Sequence, residues 1–218
     1  MTRHERVIQL ARLFALHTKK FKEPVVEQVA RSYEPYRVLV STMLSLRTKD
    51  ATTALASKRL FVRAGTLKKL HMLSPKQIEQ LIYPVGFYKT KARNLLRMAD
   101  LVIKRHHGKI PSTDEDLLAL PGVGRKTANL VLSLSFKKDA ICVDTHVHRI
   151  SNRFDLVRTK TPYETEIALQ KVLPKRLWKH WNTWLVIWGQ NICFPVRPKC
   201  SMCPMRSLCP QRNVIHPR

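Results

Sequence analysis

A lysine two residues after a glycine-containing turn is the first residue of this chain whose setting supports chemistry. The segment LPGVGRKTANL, Leu120–Leu130, looks at first like a phosphate-binding P-loop, whose pattern is G-x-x-x-x-G-K-[ST]. The pattern fails because Arg125 separates Gly124 from Lys126, so we expect no nucleotide cofactor. The turn from Gly122 to Gly124 instead predicts a helix-hairpin-helix, in which backbone N–H groups at the start of the second helix attract a phosphate.

Lys126 lies in the predicted first turn of that second helix. There the helix dipole disfavours a positive charge, and the neighbouring Arg125 disfavours it further. A lysine amine is a nucleophile only when it is neutral. This placement favours a nucleophilic lysine, and the alternative is one more basic residue in contact with a polyanion.

The downstream segment ICVDTHVHRISNRF looks briefly like a metal site. Cys142, Asp144, His146 and His148 all have side chains that ligate metals. The apolar spacing that follows, however, predicts a helix with Asp144 as its N-cap, and residues two apart on a helix point in different directions. We therefore favour a capping carboxylate, which can also be catalytic at an exposed helix start, over a metal site.

Four cysteines near the carboxyl end predict a local thiolate site. Cys193, Cys200, Cys203 and Cys209 follow the spacing C-x6-C-x2-C-x5-C with prolines between them, and the fifth cysteine, Cys142, is far away. Zinc accepts four thiolates but usually takes them from two short pairs, and only one such pair occurs here. The wider spacing within one loop favours a [4Fe-4S] cluster. This cysteine usage indicates a reducing, intracellular environment.

The charge of the chain restricts its partners. Its 218 residues include 40 Lys and Arg against 15 Asp and Glu, a formal charge of +25, which favours nucleic acid or an anionic membrane. No apolar run approaches the ~18 residues of a membrane span, and the amino-terminal MTRHERVIQLARLFAL is a poor signal peptide. We expect nucleic acid as the partner, no membrane, and a cytoplasmic, nucleoid-associated location in a bacterium or archaeon.

Helices must position these groups, because apolar residues recur at three- and four-residue steps almost throughout the chain. No convincing run of alternating residues predicts a strand, so the predicted fold class is all-α, with a metal-bound loop at the carboxyl end. Trp178, Trp181, Trp184 and Trp188 are expected to form the buried face of a helix, with base stacking as the alternative. The predicted helical segments are VIQLARLFAL, PYRVLVSTMLSL, ATTALASKRLF, SPKQIEQLIYPV, KARNLLRMADLVIKRHH, TDEDLLAL and TANLVLSLSF.

Three motifs in their order along the chain resemble the endonuclease III family: LPGVGRKTA, VDTHVHR and the four-cysteine pattern. The resemblance extends to STMLSLRTKD (Ser41–Asp50) and IYPVGFYKTKA (Ile82–Ala92) and covers nearly the whole chain. It implies two helical domains with a DNA-binding cleft between them. One is a six-helix barrel with the helix-hairpin-helix over residues 25–138; the other is a discontinuous domain over 1–24 and 139–218 that carries the iron-sulfur cluster loop.

The resemblance also implies a bifunctional DNA glycosylase and AP lyase of base excision repair, acting as a monomer on damaged double-stranded DNA. Lys126 would attack the sugar C1′, expel an oxidised pyrimidine of the thymine glycol type and form a Schiff base, and β-elimination would cut the strand on the 3′ side. Asp144 would stabilise positive charge on the sugar. The alternatives are a mismatch-specific monofunctional glycosylase, against which Lys126 counts, and a non-enzymatic cluster-bearing DNA-binding or redox module.

Further residues are expected to contact DNA on the same grounds. Arg47 stands where many members have glutamine and would fill the space left by the flipped nucleotide, so the opposite-base preference is open. Phe87 is either the apolar wedge that enters the duplex or a core residue. Arg197 and Lys199 either bind a phosphate or form a solvated basic loop. The expected DNA-binding set is Gly122, Gly124, Arg125, Arg47, Phe87, Lys91, His146, Arg197 and Lys199.

Overall fold

The chain is all-α, as the sequence predicts. A computed structural model describes residues 2–31, 34–214 and 216–218, and these ranges contain no β-strand. Nor does any helix within them have the length and apolar character needed to cross a membrane. The α-helices of the described residues are α1 (Arg3–His17), α2 (Val25–Ala30), α3 (Pro35–Ser45), α4 (Asp50–Arg63), α5 (Leu67–His71), α6 (Pro75–Ile82), α7 (Tyr88–His106), α8 (Asp114–Leu118), α9 (Arg125–Ser135), α10 (Thr145–Arg153), α11 (Pro162–Val172) and α12 (Lys175–Asn191).

The helices divide into two compact units. Met1–Pro24 and Asp139–Arg218 form one unit, here called the terminal unit, and Val25–Lys138 form the other, the hairpin unit. The terminal unit also contains short 3-10 helices at Thr18–Lys20, Cys200–Met202 and Arg206–Leu208. Both ends of the sequence therefore contribute to the unit that holds the cysteine loop.

A buried helix, α3, organises the hairpin unit. Pro35 occupies its first position, where a missing N–H is tolerated, and apolar residues follow on almost every side. Val38 and Leu39 are fully buried, and helices α2, α4, α7 and α9 all pack against α3. Helices α7 and α9, whose first turns hold Lys91 and Lys126, are therefore supported by the same central helix.

Aromatic rings form the centre of the terminal unit. Phe14 on α1 meets the rings of Phe154, Trp181 and Trp188 at centroid distances of 5.7, 5.9 and 5.9 Å, each edge to face. Edge-to-face contacts align the positive rim of one ring with the negative face of another, which adds to the stabilisation from burial. The first helix of the chain is thereby fixed to α12, although most of the sequence separates them.

The tryptophans of α12 form the buried face that their spacing predicts. Trp178, Trp181 and Trp188 are buried. Trp184 is half-buried and stacks on His180 with the ring centroids 5.5 Å apart. Three of the four rings are thus core residues, which excludes base stacking by them in this conformation.

Candidate active site

The glycine turn between α8 and α9 is held by two apolar side chains. Leu120 and Val123 are buried, whereas Gly122 and Gly124 are exposed. Gly122 has a φ of 80°, and a Cβ on it would lie 2.8 Å from Asn94 Nδ2. Gly124 has an ordinary φ of −104°, and no described atom lies within 4 Å of its Cβ position. Only Gly122 is therefore required to be glycine by its backbone and its neighbours.

Lys126 is the second residue of α9, directly after this turn. The helix begins at Arg125, and its N-cap residue, Gly124, has no side chain that could cap it. Arg125 Nη1 lies 3.9 Å from Asp114 Oδ2 on α8, an exposed ion pair that contributes little to stability. The side chain of Lys126 is partly exposed. The predicted position in the helix is confirmed: Lys126 lies in the first turn of a helix whose dipole attracts anions.

Asp144 caps the start of α10, as its sequence context predicts. Its Oδ1 accepts hydrogen bonds from the backbone N–H groups of His146 and Val147, both at 2.9 Å. The four residues before it, 140–143, are buried, and the carbonyl of Cys142 accepts a 3.1 Å hydrogen bond from Asn182 Nδ2. Asp144 itself is 9% exposed. The carboxylate is thus fixed by the helix on one side and by a buried segment on the other.

The two histidines of α10 face different neighbours. His146 Nδ1 is 3.1 Å from Arg149 Nη2, and a Cβ on Gly189 of α12 would lie 2.2 Å from that same His146 nitrogen. His148 Nδ1 is 2.6 Å from Thr165 Oγ1 on α11, and burial lowers the pKa of His148. The two imidazoles therefore point toward different neighbours, as the helical spacing predicts.

Four cysteine side chains line one cavity in the terminal unit. Cys193, Cys200, Cys203 and Cys209 share it with Trp188, and it contains about 360 Å³ of space outside the protein atoms, part of it open to solvent. Within the described ranges, no three or more His, Cys, Asp or Glu side chains are arranged as a metal-ion site. Four thiols around one cavity fit a [4Fe-4S] cluster, which takes one thiolate at each of its four irons.

Burial disfavours the charged thiolate form of three of these cysteines. It raises the pKa of Cys209 to about 11 and also raises the pKa values of Cys200 and Cys203. A metal centre favours the thiolate form and reverses this effect. These buried cysteines therefore need a cationic partner, such as a metal centre, to be present as thiolates.

Two arginines of α10 connect that helix to the first cysteine. Arg153 is only 4% exposed, and its Nη1 donates to Cys193 Sγ at 3.3 Å and to the Phe194 carbonyl at 2.6 Å. Its Nη2 donates to the Pro195 carbonyl at 2.7 Å. Arg149 Nη2 donates to the Cys193 carbonyl, also at 2.7 Å. The guanidinium groups hold the loop and place positive charge beside a sulfur that is expected to be anionic.

The basic residues inside the cysteine loop differ in exposure. Arg197 is exposed and has a φ of 51°. Lys199 is half-buried, with its Nζ 5.4 Å from the ring centroid of Phe194. Arg197 is therefore the better placed of the two to reach a phosphate.

Arg47 and Phe87 lie against each other in the hairpin unit. The Arg47 Cζ is 5.7 Å from the ring centroid of Phe87, within the range of a cation–π contact. Phe87 is 63% exposed, which excludes a core role for it. Both residues have left-handed backbones, with φ values of 52° and 58°. The two residues expected to enter the duplex thus form one exposed pair.

Lys91 is placed differently from the expectation that it contacts DNA. It is 8% exposed, and its Nζ donates to the carbonyls of Leu44 and Leu46 at 2.8 and 2.6 Å and to Thr48 Oγ1 at 3.2 Å. Burial lowers its pKa to about 8. All three N–H groups of the ammonium have partners inside the hairpin unit, so this conformation does not support a phosphate contact.

Sequence reasoning missed three internal contacts: those of Lys91, of Arg153 and of Asn182. The burial of Lys91 could have been predicted from its position, because Lys91 lies on the apolar face of α7 with Leu95 and Met98. The contacts of Arg153 and Asn182 join segments about 40 residues apart, and side-chain spacing along one helix carries no information about such partners.

Comparison with known proteins connects this geometry to DNA repair. A family model described as "HhH-GPD superfamily base excision DNA repair protein" matches residues 40–175. The chain is 45% identical to Endonuclease III of Thermotoga maritima over 188 residues, which is 85% of this chain and 88% of that protein.

Solved structures agree with the sequence comparison. The structure of a non-covalent Endonuclease III–DNA complex is similar with a TM-score of 0.86 and 32% identity, over 97% of this chain and 96% of that one. The structure of a trapped Endonuclease III–DNA covalent intermediate is similar with a TM-score of 0.78 and 32% identity, over 86% of this chain and 93% of that one.

Proposed function

This chain belongs to the HhH-GPD superfamily of base excision DNA repair proteins, and on that premise we propose that it is a bifunctional DNA glycosylase and AP lyase. Its proposed substrates are oxidised or ring-saturated pyrimidines, such as thymine glycol, and abasic sites in double-stranded DNA. It acts on them as a monomer.

The position of Lys126 carries this proposal. The residue is partly exposed in the first turn of a helix that directly follows the glycine turn, and the chain is similar to an endonuclease III trapped in covalent linkage to DNA. A glycosylase that only removes a base can use water as its nucleophile, whereas a lyase requires an amine that stays bound to the sugar. Lys126 supplies such an amine.

The reaction begins when the neutral amine of Lys126 attacks C1′ of the damaged nucleotide. The bond from C1′ to the base breaks, and the base leaves with the bonding electrons and takes up a proton. Opening of the sugar ring then gives a protonated Schiff base between C1′ and Nζ. Loss of a proton from C2′ expels the 3′ phosphate by β-elimination, which cuts the strand, and water hydrolyses the Schiff base to release Lys126.

Asp144 is proposed to stabilise the cationic sugar that develops as the base departs. Its carboxylate is nearly buried, and two backbone N–H groups fix its orientation. A charge held rigidly in a site of low polarity interacts strongly with a developing opposite charge, because no solvent must reorganise. The same carboxylate can accept and return protons during the elimination.

The hairpin and the net charge are proposed to hold the DNA. The exposed turn at Gly122 and Gly124 offers a helix start to one backbone phosphate, and the formal charge of +25 attracts the rest of the strand. A base inside a duplex is out of reach of the amine, so the nucleotide must rotate out of the stack. Phe87 is proposed to wedge into the gap and Arg47 to fill it.

A [4Fe-4S] cluster is proposed in the thiol-lined cavity, held by Cys193, Cys200, Cys203 and Cys209. When bound, it supplies four iron–thiolate bonds that fix the carboxyl-terminal loop. Arg153 and Arg149 orient the first of these cysteines through hydrogen bonds to its sulfur and its carbonyl. Purified protein should contain about four iron atoms and four acid-labile sulfides per chain.

Borohydride trapping on a panel of lesions tests the proposed activity. We expect a covalent adduct and a nicked strand with duplexes that contain thymine glycol or an abasic site. Failure to form an adduct with either, by protein that contains its iron, would contradict the proposal. Base release without an adduct would instead indicate a monofunctional glycosylase, and an adduct with abasic DNA alone would retain the lyase but exclude the proposed base substrates.

A further inference from the structure

A buried lysine connects the two segments that carry the Arg47–Phe87 pair. Lys91 lies in the first turn of α7, and its backbone N–H donates to the Phe87 carbonyl at 3.0 Å. Its side chain reaches in the other direction, to the segment between α3 and α4 that contains Arg47. The proposed reaction assigns no role to Lys91, although burying its ammonium requires a compensating set of hydrogen bonds.

The acceptors of Lys91 surround Arg47 in sequence. The ammonium binds the carbonyls of Leu44 and Leu46, at the carboxyl end of α3, and the hydroxyl of Thr48. Carbonyls at a helix end have lost their intrahelical partners, and the negative end of the helix dipole favours a cation there. Lys91 therefore binds the backbone directly before Arg47 and the side chain of the residue directly after it.

A second set of contacts ties the same segment to the residue before Phe87. The N–H of Gly86 donates to Thr48 Oγ1 at 3.1 Å, so one hydroxyl binds both Gly86 and Lys91. A Cβ on Gly86 would lie 2.6 Å from the carbonyl oxygen of Arg47. The two segments thus meet at backbone distance, with Lys91 and Thr48 between them.

The backbone of the pair requires such support. Arg47 and Phe87 both have left-handed φ values, a conformation that is unfavourable for residues other than glycine and persists only where the surroundings enforce it. Their side chains are exposed and touch each other. Packing against a core therefore cannot be what holds them, whereas the hydrogen bonds of Lys91 reach the backbone on which both depend.

We propose that Lys91 is a positioning residue for nucleotide flipping, which holds Arg47 and Phe87 at the spacing at which both enter the duplex. This inference rests on the proposed function, since it assigns the pair a role in opening the base stack. Lys91 acts through the pair and does not touch the DNA.

The test compares cleavage of the same abasic site in a duplex and in a single strand. An unpaired strand needs no wedge, because extruding a nucleotide is least costly where there is no stack or pair to break. We expect Lys91→Met, which keeps the apolar stem and removes the donors, to slow cleavage in the duplex about tenfold and to change cleavage in the single strand less than about twofold. Lys104→Met on the same helix removes the same charge from an exposed ion pair with Asp100. It should leave the ratio of duplex cleavage to single-strand cleavage unchanged.

A double-mutant cycle with Phe87→Ala separates positioning from general support. If Lys91 acts through the pair, Lys91→Met should slow duplex cleavage far less in the Phe87→Ala background than in the wild type. Equal losses on duplex and single strand, or additive effects in the cycle, would overturn the proposal.

If Lys91→Met fails to fold, as judged by thermal melting, Thr48→Val provides the same test. It removes the shared hydroxyl and should lower the duplex-to-single-strand ratio in the same direction, whereas an unchanged ratio overturns the proposal.

The same assay distinguishes this inference from the function on which it rests. Wild-type protein that cleaves neither abasic substrate would contradict the proposed lyase. Wild-type protein that cleaves both, together with a Lys91→Met variant of unchanged ratio, would contradict only the positioning role.

Discussion

Helices α9 and α10 both begin beside a proposed catalytic residue, but they begin in opposite ways. Helix α9 has Gly124 at its N-cap, a residue without a capping side chain, and its first turn contains Lys126. Helix α10 starts at Asp144, whose carboxylate accepts from two backbone N–H groups of the first turn. One helix start combines cations with an anion-attracting dipole, and the other has an anion built into it.

The difference shows how one structural device serves two chemical purposes. At α9, the helix start is proposed to attract a DNA phosphate, and the proposed nucleophile Lys126 lies in that same first turn. At α10, the first-turn N–H groups bind the protein's own carboxylate and fix the orientation that its proposed role in the reaction requires. The sign of the side chain at the helix start decides which purpose it serves.

The largest effect is expected from removing the amine at α9. Lys126→Gln should lower strand cleavage by about three orders of magnitude or more, because the glutamine amide is not a nucleophile. Binding to damaged duplex should change little, since the hairpin and the remaining charge are retained. Borohydride trapping and gel-shift titration measure the two effects, with Lys109→Gln as an exposed control in the same unit. Retained adduct formation in Lys126→Gln would show that the nucleophile lies elsewhere.

The next effect separates charge from capping at α10. Asp144→Asn keeps a good N-cap and removes the charge, so base release should slow about a hundredfold while stability is nearly retained. Asp144→Ala should have the same catalytic defect and should also lose about 1 kcal/mol of unfolding free energy. Single-turnover base release and urea denaturation provide the measurements. Equal stability loss in both variants would mean that the charge itself, and not the cap, maintains the fold there.

The smallest effect tests the glycines that precede α9. Gly122→Ala should lower the free energy of unfolding by about 1–2 kcal/mol, since it places a side chain on a left-handed backbone and against Asn94. Gly124→Ala should cost roughly 0.5 kcal/mol, because alanine is only a poorer N-cap in open space. Urea denaturation compares the two variants. A larger loss at Gly124 would contradict the conformational distinction between them.

The sequence predicted the long helices and the local settings of the reactive groups. The apolar period located α1, α3, α4, α6, α7, α8 and α9, and the turn residues placed Lys126 and Asp144 at helix starts, because these properties depend only on nearby residues. Helices α2, α5 and α11 were not predicted. The first two are only six and five residues long, and α11 has a weak apolar period.

The contacts of the long basic side chains could not be predicted in the same way. Lys91 and Lys104 lie on one helix, yet the first is buried against carbonyls about 45 residues earlier and the second pairs with Asp100 on the surface. Residue type and neighbouring charges in the sequence do not show which lysine is buried and which is exposed. Only the position of Lys91 on the apolar stripe does, and the identity of its acceptors depends on the tertiary fold.

Gly189 has a consequence for how the cysteine loop and Asp144 are coupled. The absence of a side chain at Gly189 lets α12 approach His146 and Arg149 closely, so one side of α10 packs tightly against α12. Its two ends then behave as the ends of a stiff rod of nine residues, about 14 Å long. Asp144 caps one end, and Arg153 grips the Cys193 sulfur from the other. We therefore expect a shift of the cysteine loop to be transmitted along α10 to the carboxylate at its other end.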